Sequence, residues 1–351
     1  MRWQERITAE QIIVSWESLE TEFTFERFFP FKRQIGLRFE FVKGKDNTPV
    51  RLVASGFNTN VLYRDRIGFT SLQGEMPFFK EAYSIDEITR QALITASASQ
   101  NSNYLDILLS HVFDDTDALL ESAEITSECM RAQLLSTGTI AIVENGLNKE
   151  YDYGYDSSKQ YKDLTATGYW SKEGVKPLST ISDAIDQYEK DHKGNSPKYL
   201  VINQSTFNKY LRNDDEIKTY FAKLSTPILY PTKEQVKSYI EALFDIELIV
   251  SKQTYLKARD FGGEEVDMYP SDRISLIGVD ELGNTLYGTT PEEADLASGE
   301  ATASTVAITT KGIAVTEWKT PDPVNTNVKV SQVCIPTCPQ LDKLYIVKVL
   351  A

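Results

Sequence analysis

The sequence predicts an α+β protein, and three patterns support this prediction. Residues 78–137 contain neither glycine nor proline, and inside this stretch, from Leu105 to Leu134, apolar side chains recur mostly at the three- and four-residue steps typical of a helix. The middle of the chain alternates helix-like and strand-like segments, and the C-terminal part is rich in strand-like segments. With 351 residues, the chain is long enough for one large domain or two modest ones.

Composition and charge exclude several classes of protein. The 41% apolar and 25% charged residues indicate a folded chain with a sizeable core. The net charge of −14 disfavours a protein that coats nucleic acid by neutralising its phosphates. The N-terminal sequence lacks the apolar region of a signal peptide, and no segment approaches the ~20 apolar residues of a membrane span. We therefore expect a soluble protein that is made in the cytosol and makes no membrane contact.

The charge is distributed unevenly along the chain. Residues 31–80 hold nine basic and four acidic side chains, a net charge of +5, which leaves −19 for the rest of the chain. A basic segment on an acidic body suits electrostatic contact between copies of one chain. Two solvated surfaces of opposite sign remain the other interpretation.

The N-terminal segment is aromatic. Residues 8–20 predict a short amphipathic helix with Thr8 as its N-cap. Aromatic side chains lie before, in and after this helix: Trp3, Trp16, Phe23, Phe25, Phe28 and Phe29. So much aromatic surface has to be buried, either on the chain's own domain or on a neighbouring chain.

A long hairpin is predicted next. Apolar and polar residues alternate over 35–42, as in a half-buried strand, and the alternation continues at 50–54 beyond a polar loop at 44–49. Another strand-like piece covers 66–79. Because an isolated hairpin is at best marginally stable in water, a long basic one outside the core would need a partner.

The longest predicted element is a helix over about 104–137. Its apolar positions are Leu105, Leu108, Leu109, Val112, Leu119, Leu120, Ala123, Met130 and Leu134. Gly138 ends the pattern, and 1.5 Å per residue gives a length of about 50 Å, which suggests a structural spine. The other predicted elements are a hairpin over 139–155, helices at 179–191 (capped by Ser179 or Thr180), 205–212, 214–223 and 232–244, and strands at 199–203, 247–250, 273–279, 304–319, 327–336 and 343–350.

Residues that could carry chemistry are few. The only histidines, His111 and His192, are not accompanied by any recognisable nucleophile, phosphate-binding or metal-binding motif. The other candidates are two cysteines without a second ligand pair and two acidic clusters: Cys334, Cys338, Asp114-Asp115-Asp117 and Asp214-Asp215-Glu216. We interpret them as reduced thiols and solvated surface. The sequence thus predicts no catalytic residue, no cofactor and no metal site, and a hydrolase with paired carboxylates stays a distant alternative.

A series of distinctive segments follows in order along the chain: FFPFKRQIGLRFEFVKGKD (28–46), RDRIGF (64–69), GEMPFFKE (74–81), the long helix leading into STGTIAIVENG and YDYGY, YPSDRISLIG (269–278), LYGTTPEE (286–293) and WKTPDPVNTNVKVSQVCIP (318–336). This series resembles the phage major capsid protein E family, the lambda-type branch of the Hong Kong 97 capsid fold. Together the segments cover nearly the whole chain.

The resemblance implies a division of the chain into four parts. These are an N-terminal arm (1–35), an extended loop that lies over a neighbouring subunit (36–82), a peripheral domain with the spine helix (83–177 and 301–351) and an axial domain (178–300). The residues implied in contacts between subunits are Trp3, Trp16, Phe28, Phe29, Arg38, Lys43, Lys45, Arg51, Arg64 and Arg66.

The implied function is that of a major capsid protein, which is structural and not an enzyme. Copies would assemble in the host cytoplasm into the pentamers and hexamers of an icosahedral virion shell around double-stranded DNA, without sequence-specific DNA binding. The implied partners are other copies of the chain, a scaffolding protein, a portal protein and, optionally, a decoration protein. A separate scaffold is expected because the sequence begins at the arm. A nanocompartment shell of the encapsulin type, with the same fold, is the main alternative.

Overall fold

The computed structural model describes residues 8–17, 23–43, 70–98, 102–144, 146–223, 230–256, 263–299 and 305–351. The chain forms two compact units. The first contains Met1–Glu40, Gln73–Arg131 and Asn284–Thr337, and the second contains Phe41–Leu72, Ala132–Gly283 and Cys338–Ala351. The four-part division implied by the resemblance stays a prediction.

Helices and strands both contribute strongly to the described residues. The helices of eight or more residues are α1 (Ala9–Glu17), α2 (Glu87–Ala98), α3 (Ser102–Thr137), α4 (Pro177–Asp191), α5 (Asp215–Ala222), α6 (Lys233–Phe244) and α7 (Pro291–Ser298). Shorter helical turns lie at Glu26–Phe28, Ser157–Gln160, Thr165–Gly168, Gln204–Thr206, Phe207–Leu211 and Leu341–Lys343. None of these described helices is both long and apolar enough to cross a lipid bilayer.

The strands are β1 (Phe31–Arg33), β2 (Arg38–Lys43), β3 (Thr70–Glu75), β4 (Phe78–Ile85), β5 (Thr139–Glu144), β6 (Leu147–Asp152), β7 (Tyr161–Asp163), β8 (Tyr199–Asn203), β9 (Glu247–Ser251), β10 (Thr254–Leu256), β11 (Glu265–Asp267), β12 (Arg273–Ile277), β13 (Asn284–Tyr287), β14 (Thr305–Ile308), β15 (Ala314–Lys319), β16 (Thr326–Thr337) and β17 (Leu344–Lys348). Three of the sheets are two-stranded, β2–β3, β5–β6 and β10–β11.

The first unit is built on a six-stranded sheet in the order β1-β13-β16-β15-β14, with β4 also paired to β16. The long strand β16 pairs antiparallel with β4, β13 and β15, whereas β1 runs parallel to β13. Helix α3 lies against this sheet, since the Gln332 side-chain amide donates to the Ala123 carbonyl over 2.6 Å. The sheet and the middle of α3 around Ala123 are therefore in contact.

The second unit is built on a five-stranded mixed sheet in the order β7-β17-β12-β8-β9. Its central strands are buried because α4, α5 and α6 pack their apolar sides on it. The core includes Ile185, Tyr188, Leu200, Phe207, Phe221, Val236, Ile240, Ile274 and Val347. Asp214 caps α5 by accepting hydrogen bonds from two backbone N–H groups, so this acidic cluster stabilises a helix start.

Most predicted elements are confirmed. The predicted spine helix is α3, and seven of its nine predicted apolar positions are buried, with Leu105 and Leu108 half-buried. The hairpin after Gly138 is β5–β6, and the predicted strand over 199–203 is β8. The cap predicted for α4 is wrong: the helix starts at Pro177, because a proline at its first position needs no N–H partner.

Two features of the fold were not predicted: helix α2, and the pairing of β2 with β3. Helix α2 carries few large buried apolar residues, chiefly Leu93, so its periodicity is weak in the sequence. In the described residues, β2 pairs with β3 at Thr70–Glu75, inside the strand-like piece predicted over 66–79. The loop predicted at 44–49 and the strand predicted at 50–54 lie outside the described residues.

Candidate functional site

The base of the N-terminal arm is buried in the first unit. A turn of 3₁₀ helix at Glu26–Phe28 places Phe25, Phe28 and Phe29 in the core, where all three side chains are fully buried. On α1, Trp16 is buried as well, together with Ile12. These aromatic side chains are therefore accommodated by the chain itself, the first of the two alternatives posed by the sequence. Phe28 and Phe29 consequently offer no surface to a neighbouring chain.

A buried ion pair on α3 holds this turn in place. The Arg131 guanidinium (Nη1) lies 3.0 Å from the Glu128 carboxylate (Oε2), and both side chains are fully buried. The other carboxylate oxygen accepts the backbone N–H of Phe25 over 2.7 Å. Arg131 Nε donates to the Thr285 hydroxyl over 2.9 Å, and that hydroxyl donates to the Phe29 carbonyl over 2.9 Å. We call Glu128, Arg131 and Thr285 the arm clamp, because they bind both ends of the turn.

Further charged groups surround the arm clamp. Lys311 Nζ lies 2.9 Å from the Glu26 carboxylate and 3.2 Å from the buried Glu124 carboxylate. Burial raises the pKa of Glu124, and Lys311 counteracts the rise only in part. Burial also raises the pKa of Glu128, although Arg131 and a backbone N–H act in the opposite direction. Both carboxyl groups therefore bind a proton more tightly than they would in water.

Beyond the clamp, the chain joins the edge of the sheet and then leaves it. Strand β1 pairs with β13, and Gly36 exchanges hydrogen bonds with Thr289, its N–H donating to the Thr289 hydroxyl over 3.0 Å. Arg33 donates to the Gly288 carbonyl over 3.0 Å and pairs with Glu293. The Ile35 side chain, just before Gly36, is 94% exposed. Hydrogen bonds thus fix the chain up to Gly36, whereas the neighbouring Ile35 side chain is exposed to solvent.

The hairpin stem follows directly. Phe39 of β2 is buried against Gly74 of β3, where an added Cβ would lie 3.0 Å from ring atoms of Phe39. The Met76 N–H donates to the Leu37 carbonyl over 2.8 Å. Arg38 is exposed, and Lys43 is the last residue of β2. The other predicted contact residues, Trp3, Lys45, Arg51, Arg64 and Arg66, lie outside the described residues, so the contacts between subunits stay a prediction.

His192 and Cys334 have structural surroundings. The ring nitrogens of His192 lie 2.8 Å and 2.6 Å from the carbonyl oxygens of Tyr188 and Asp342. Burial raises the pKa of the Cys334 thiol to about 12, which keeps it protonated. Within the described ranges, no group of three or more histidine, cysteine or acidic side chains is arranged to hold a metal ion.

The arm clamp was missed by the sequence-based reasoning, although a signal for it exists. Arg131 is the one lysine or arginine in the helix predicted over 104–137, and Glu128 precedes it by three residues. Side chains three residues apart on a helix face each other, so a charged pair on the predicted helix was visible. Its partners Phe25 and Thr285 are distant in sequence and were not predictable from spacing.

The comparisons with known proteins bear on the chain as a whole. The family model of phage major capsid protein E matches residues 26–349, which include the arm clamp, the hairpin stem and most of both units.

The chain belongs to the phage major capsid protein E family.

Solved structures agree on the fold. A prophage protein from Escherichia coli CFT073, described as a capsid protein, is 15% identical with a TM-score of 0.62, covering 98% of this chain and 99% of that one. A phage-related protein from Bordetella bronchiseptica RB50 is 11% identical with a TM-score of 0.53, covering 98% and 97%. The capsid protein of cyanophage A-1(L) is 12% identical with a TM-score of 0.50, covering 95% of each chain. No curated protein matches the chain.

The fold is therefore the Hong Kong 97-like capsid fold, with α3 as the spine helix of this phage major capsid protein E family member. Membership of this family makes the chain a structural component of the phage virion. The two alternatives, a nanocompartment shell and a hydrolase with paired carboxylates, are not favoured by these findings.

Proposed function

We propose that many copies of the chain form the pentamers and hexamers of an icosahedral head that encloses the double-stranded DNA genome of a tailed phage. The observation that supports this proposal is the family match over residues 26–349, which spans nearly the whole chain. Contacts that close into rings, and rings that close into a shell, need one surface of each copy to fit a different surface of the next.

The arm clamp and the hairpin stem suggest how one copy reaches the next. Phe25–Phe29 is fixed inside its own chain, so the basic residues that follow start from a rigid base. The segment 31–80 carries +5 and the rest of the chain −19. We infer that the extended loop, with Arg38, Lys43, Lys45, Arg51, Arg64 and Arg66, lies on the acidic body of a neighbouring copy.

The same acidity fits a shell that encloses DNA without holding it. Tight binding of phosphates requires clustered lysine and arginine, and each neutralised phosphate adds to the affinity. A net charge of −14 keeps such contacts weak, so DNA is free to enter and leave. A scaffolding protein, a portal protein and a decoration protein are further proposed partners, and assembly is proposed to take place in the host cytoplasm.

Electron microscopy tests the assembly proposal. The full chain is expressed alone and together with the other head genes of its phage, then purified and imaged. We expect rings, tubes or closed shells. Small particles alone, under every condition, would overturn the proposal.

Charge reversal tests the role of the loop. Arg64→Glu together with Arg66→Glu lowers the charge of segment 31–80 from +5 to +1, and assembly should be lost or strongly delayed. The matched control reverses two exposed lysines elsewhere, Lys172→Glu and Lys223→Glu, with the same total charge change. Equal assembly of both double variants would show that the basic loop makes no important contact.

A further inference from the structure

A groove lies between helix α2 and the start of helix α3. One side is formed by Ile88, Gln91, Ala92 and Thr95, which follow each other at helical steps, and the other side by Tyr104. The groove is open to solvent, and its volume is about 430 Å³.

The apolar residues of this groove are exposed. Helix α2 buries Leu93 and Ala96, whereas Ile88 is 80% exposed. On α3, Tyr104 of the groove is 47% exposed, and Ile107, which lies outside the groove lining one turn further along, is 55% exposed. Large apolar side chains that are exposed together around a groove are typical of a surface that another molecule covers.

Acidic side chains outnumber basic ones next to the groove. Glu87 lines it, Asp86 precedes Glu87, and Asp106 lies two residues beyond Tyr104. The basic side chain nearby in sequence is Arg90, whose guanidinium donates to the Val324 carbonyl over 3.3 Å. A partner with lysines and arginines beside its apolar residues is therefore favoured electrostatically.

We propose that this groove binds a basic amphipathic helix of a second protein of the phage head, an inference that rests on the proposed function. A helix fits because the residues of α2 that line the groove recur at the three- and four-residue steps into which helices pack. The backbone of α2 is bonded within the helix and offers nothing to an added strand.

A second copy of the chain fits this groove less well. None of the helices α1 to α7 carries a net positive charge. The basic segment 31–80 forms strands where it is described, namely β1, β2, β3 and the start of β4. The chain therefore has no basic helix of eight or more residues, in its described part, to place on a neighbour's groove.

A photo-crosslinking experiment identifies the occupant. A photoreactive phenylalanine replaces Ile88 in the full chain, which is co-expressed with the other head genes and irradiated. Leu243, 49% exposed on α6, is the matched control position. We expect a crosslink at position 88, and none at 243, to a segment of another head protein that is predicted to be a helix of net positive charge. A crosslink to this chain's own residues 44–69, or no crosslink at position 88, would overturn the proposal.

A second variant separates binding from assembly. Ile88→Asp replaces an apolar side chain of the groove by a negative charge beside Glu87. It should weaken co-purification of the crosslinked protein by about ten-fold or more, whereas Leu243→Asp should not. Circular dichroism verifies that both variants fold. If the unmodified chain forms normal shells and both variants co-purify the partner equally, the proposed binding at the groove is refuted and the proposed function is unaffected. Failure of the unmodified chain to assemble would instead count against the proposed function.

Discussion

Exchanging Arg131 for methionine leaves Glu128 as a buried carboxylate without its cation. The two side chains are fully buried, and the remaining partner of the carboxylate is the Phe25 N–H at 2.7 Å. Removing one member of a buried pair typically costs about 3–5 kcal/mol. Because burial already raises the pKa of Glu128, and Arg131 opposes that rise, its folded-state pKa rises further in the variant.

The pH dependence of this cost has a definite sign. A carboxyl group whose pKa is higher in the folded than in the unfolded state binds its proton more tightly when folded, so acidification stabilises the fold. The cost of Arg131→Met should therefore shrink by up to about 1.4 kcal/mol per pH unit as the pH falls below the folded-state pKa of Glu128 in the variant, until the wild-type carboxyl group is protonated as well. Glu128→Gln keeps an acceptor for the Phe25 N–H but leaves the buried Arg131 guanidinium charged and without its carboxylate. The stability cost of Glu128→Gln should therefore not shrink as the pH falls.

Urea unfolding of the unassembled full chain, followed by circular dichroism between about pH 8 and about pH 5, measures both costs. Lys176→Met is the control, since it breaks an exposed pair with Glu216 and should leave the urea midpoint nearly unchanged at any pH in this range. Equal pH responses of the two clamp variants, or a cost of Arg131→Met below about 1 kcal/mol at neutral pH, would refute this account of the arm clamp.

Three further predictions concern single sites. Gly138→Ala should lower the free energy of unfolding by more than about 1 kcal/mol in the same urea assay, since the residue has φ of +75° and an added Cβ would lie 2.4 Å from the Tyr155 ring; unchanged stability would contradict this. Asp214→Ala should cost about 1 kcal/mol by removing the cap of α5, whereas Asp215→Ala, one position on, should be nearly neutral; similar costs for both would exclude a capping role. The buried Cys334 thiol, with its pKa raised to about 12, should be alkylated by iodoacetamide only after unfolding; mass spectrometry of the folded chain checks this, and rapid modification there would disprove its burial.

Local elements were predictable because their signals are local. The spine helix follows from a long stretch without glycine or proline and from apolar steps of three and four residues, and it begins at Ser102 instead of about 104. The five-residue strand β8 follows from a short apolar run between turn residues. Helix α2 was not predicted, because half of its apolar residues, such as Ile88, are exposed and weaken its periodicity.

The candidate site was predictable only in outline. The basic segment and its hairpin character came from charge counting and from alternation over 35–42, and β2 confirms a strand there. The partner of that strand was not predictable from alternation alone, because period two fits several pairings equally well. The structure pairs β2 with β3, whose residues begin 27 positions after Lys43.

The sequence by itself determined the family, the spine helix, the charge split and the presence of an aromatic N-terminal segment. Only the tertiary structure decided that Phe25, Phe28 and Phe29 are buried in their own chain, in a turn held by the arm clamp. Glu128 meets Phe25 across 103 residues, and Arg131 meets Thr285 across 154. Helix and strand periods reflect the nearest neighbours along the chain, whereas such pairs depend on how the whole chain packs, which residue spacing does not encode.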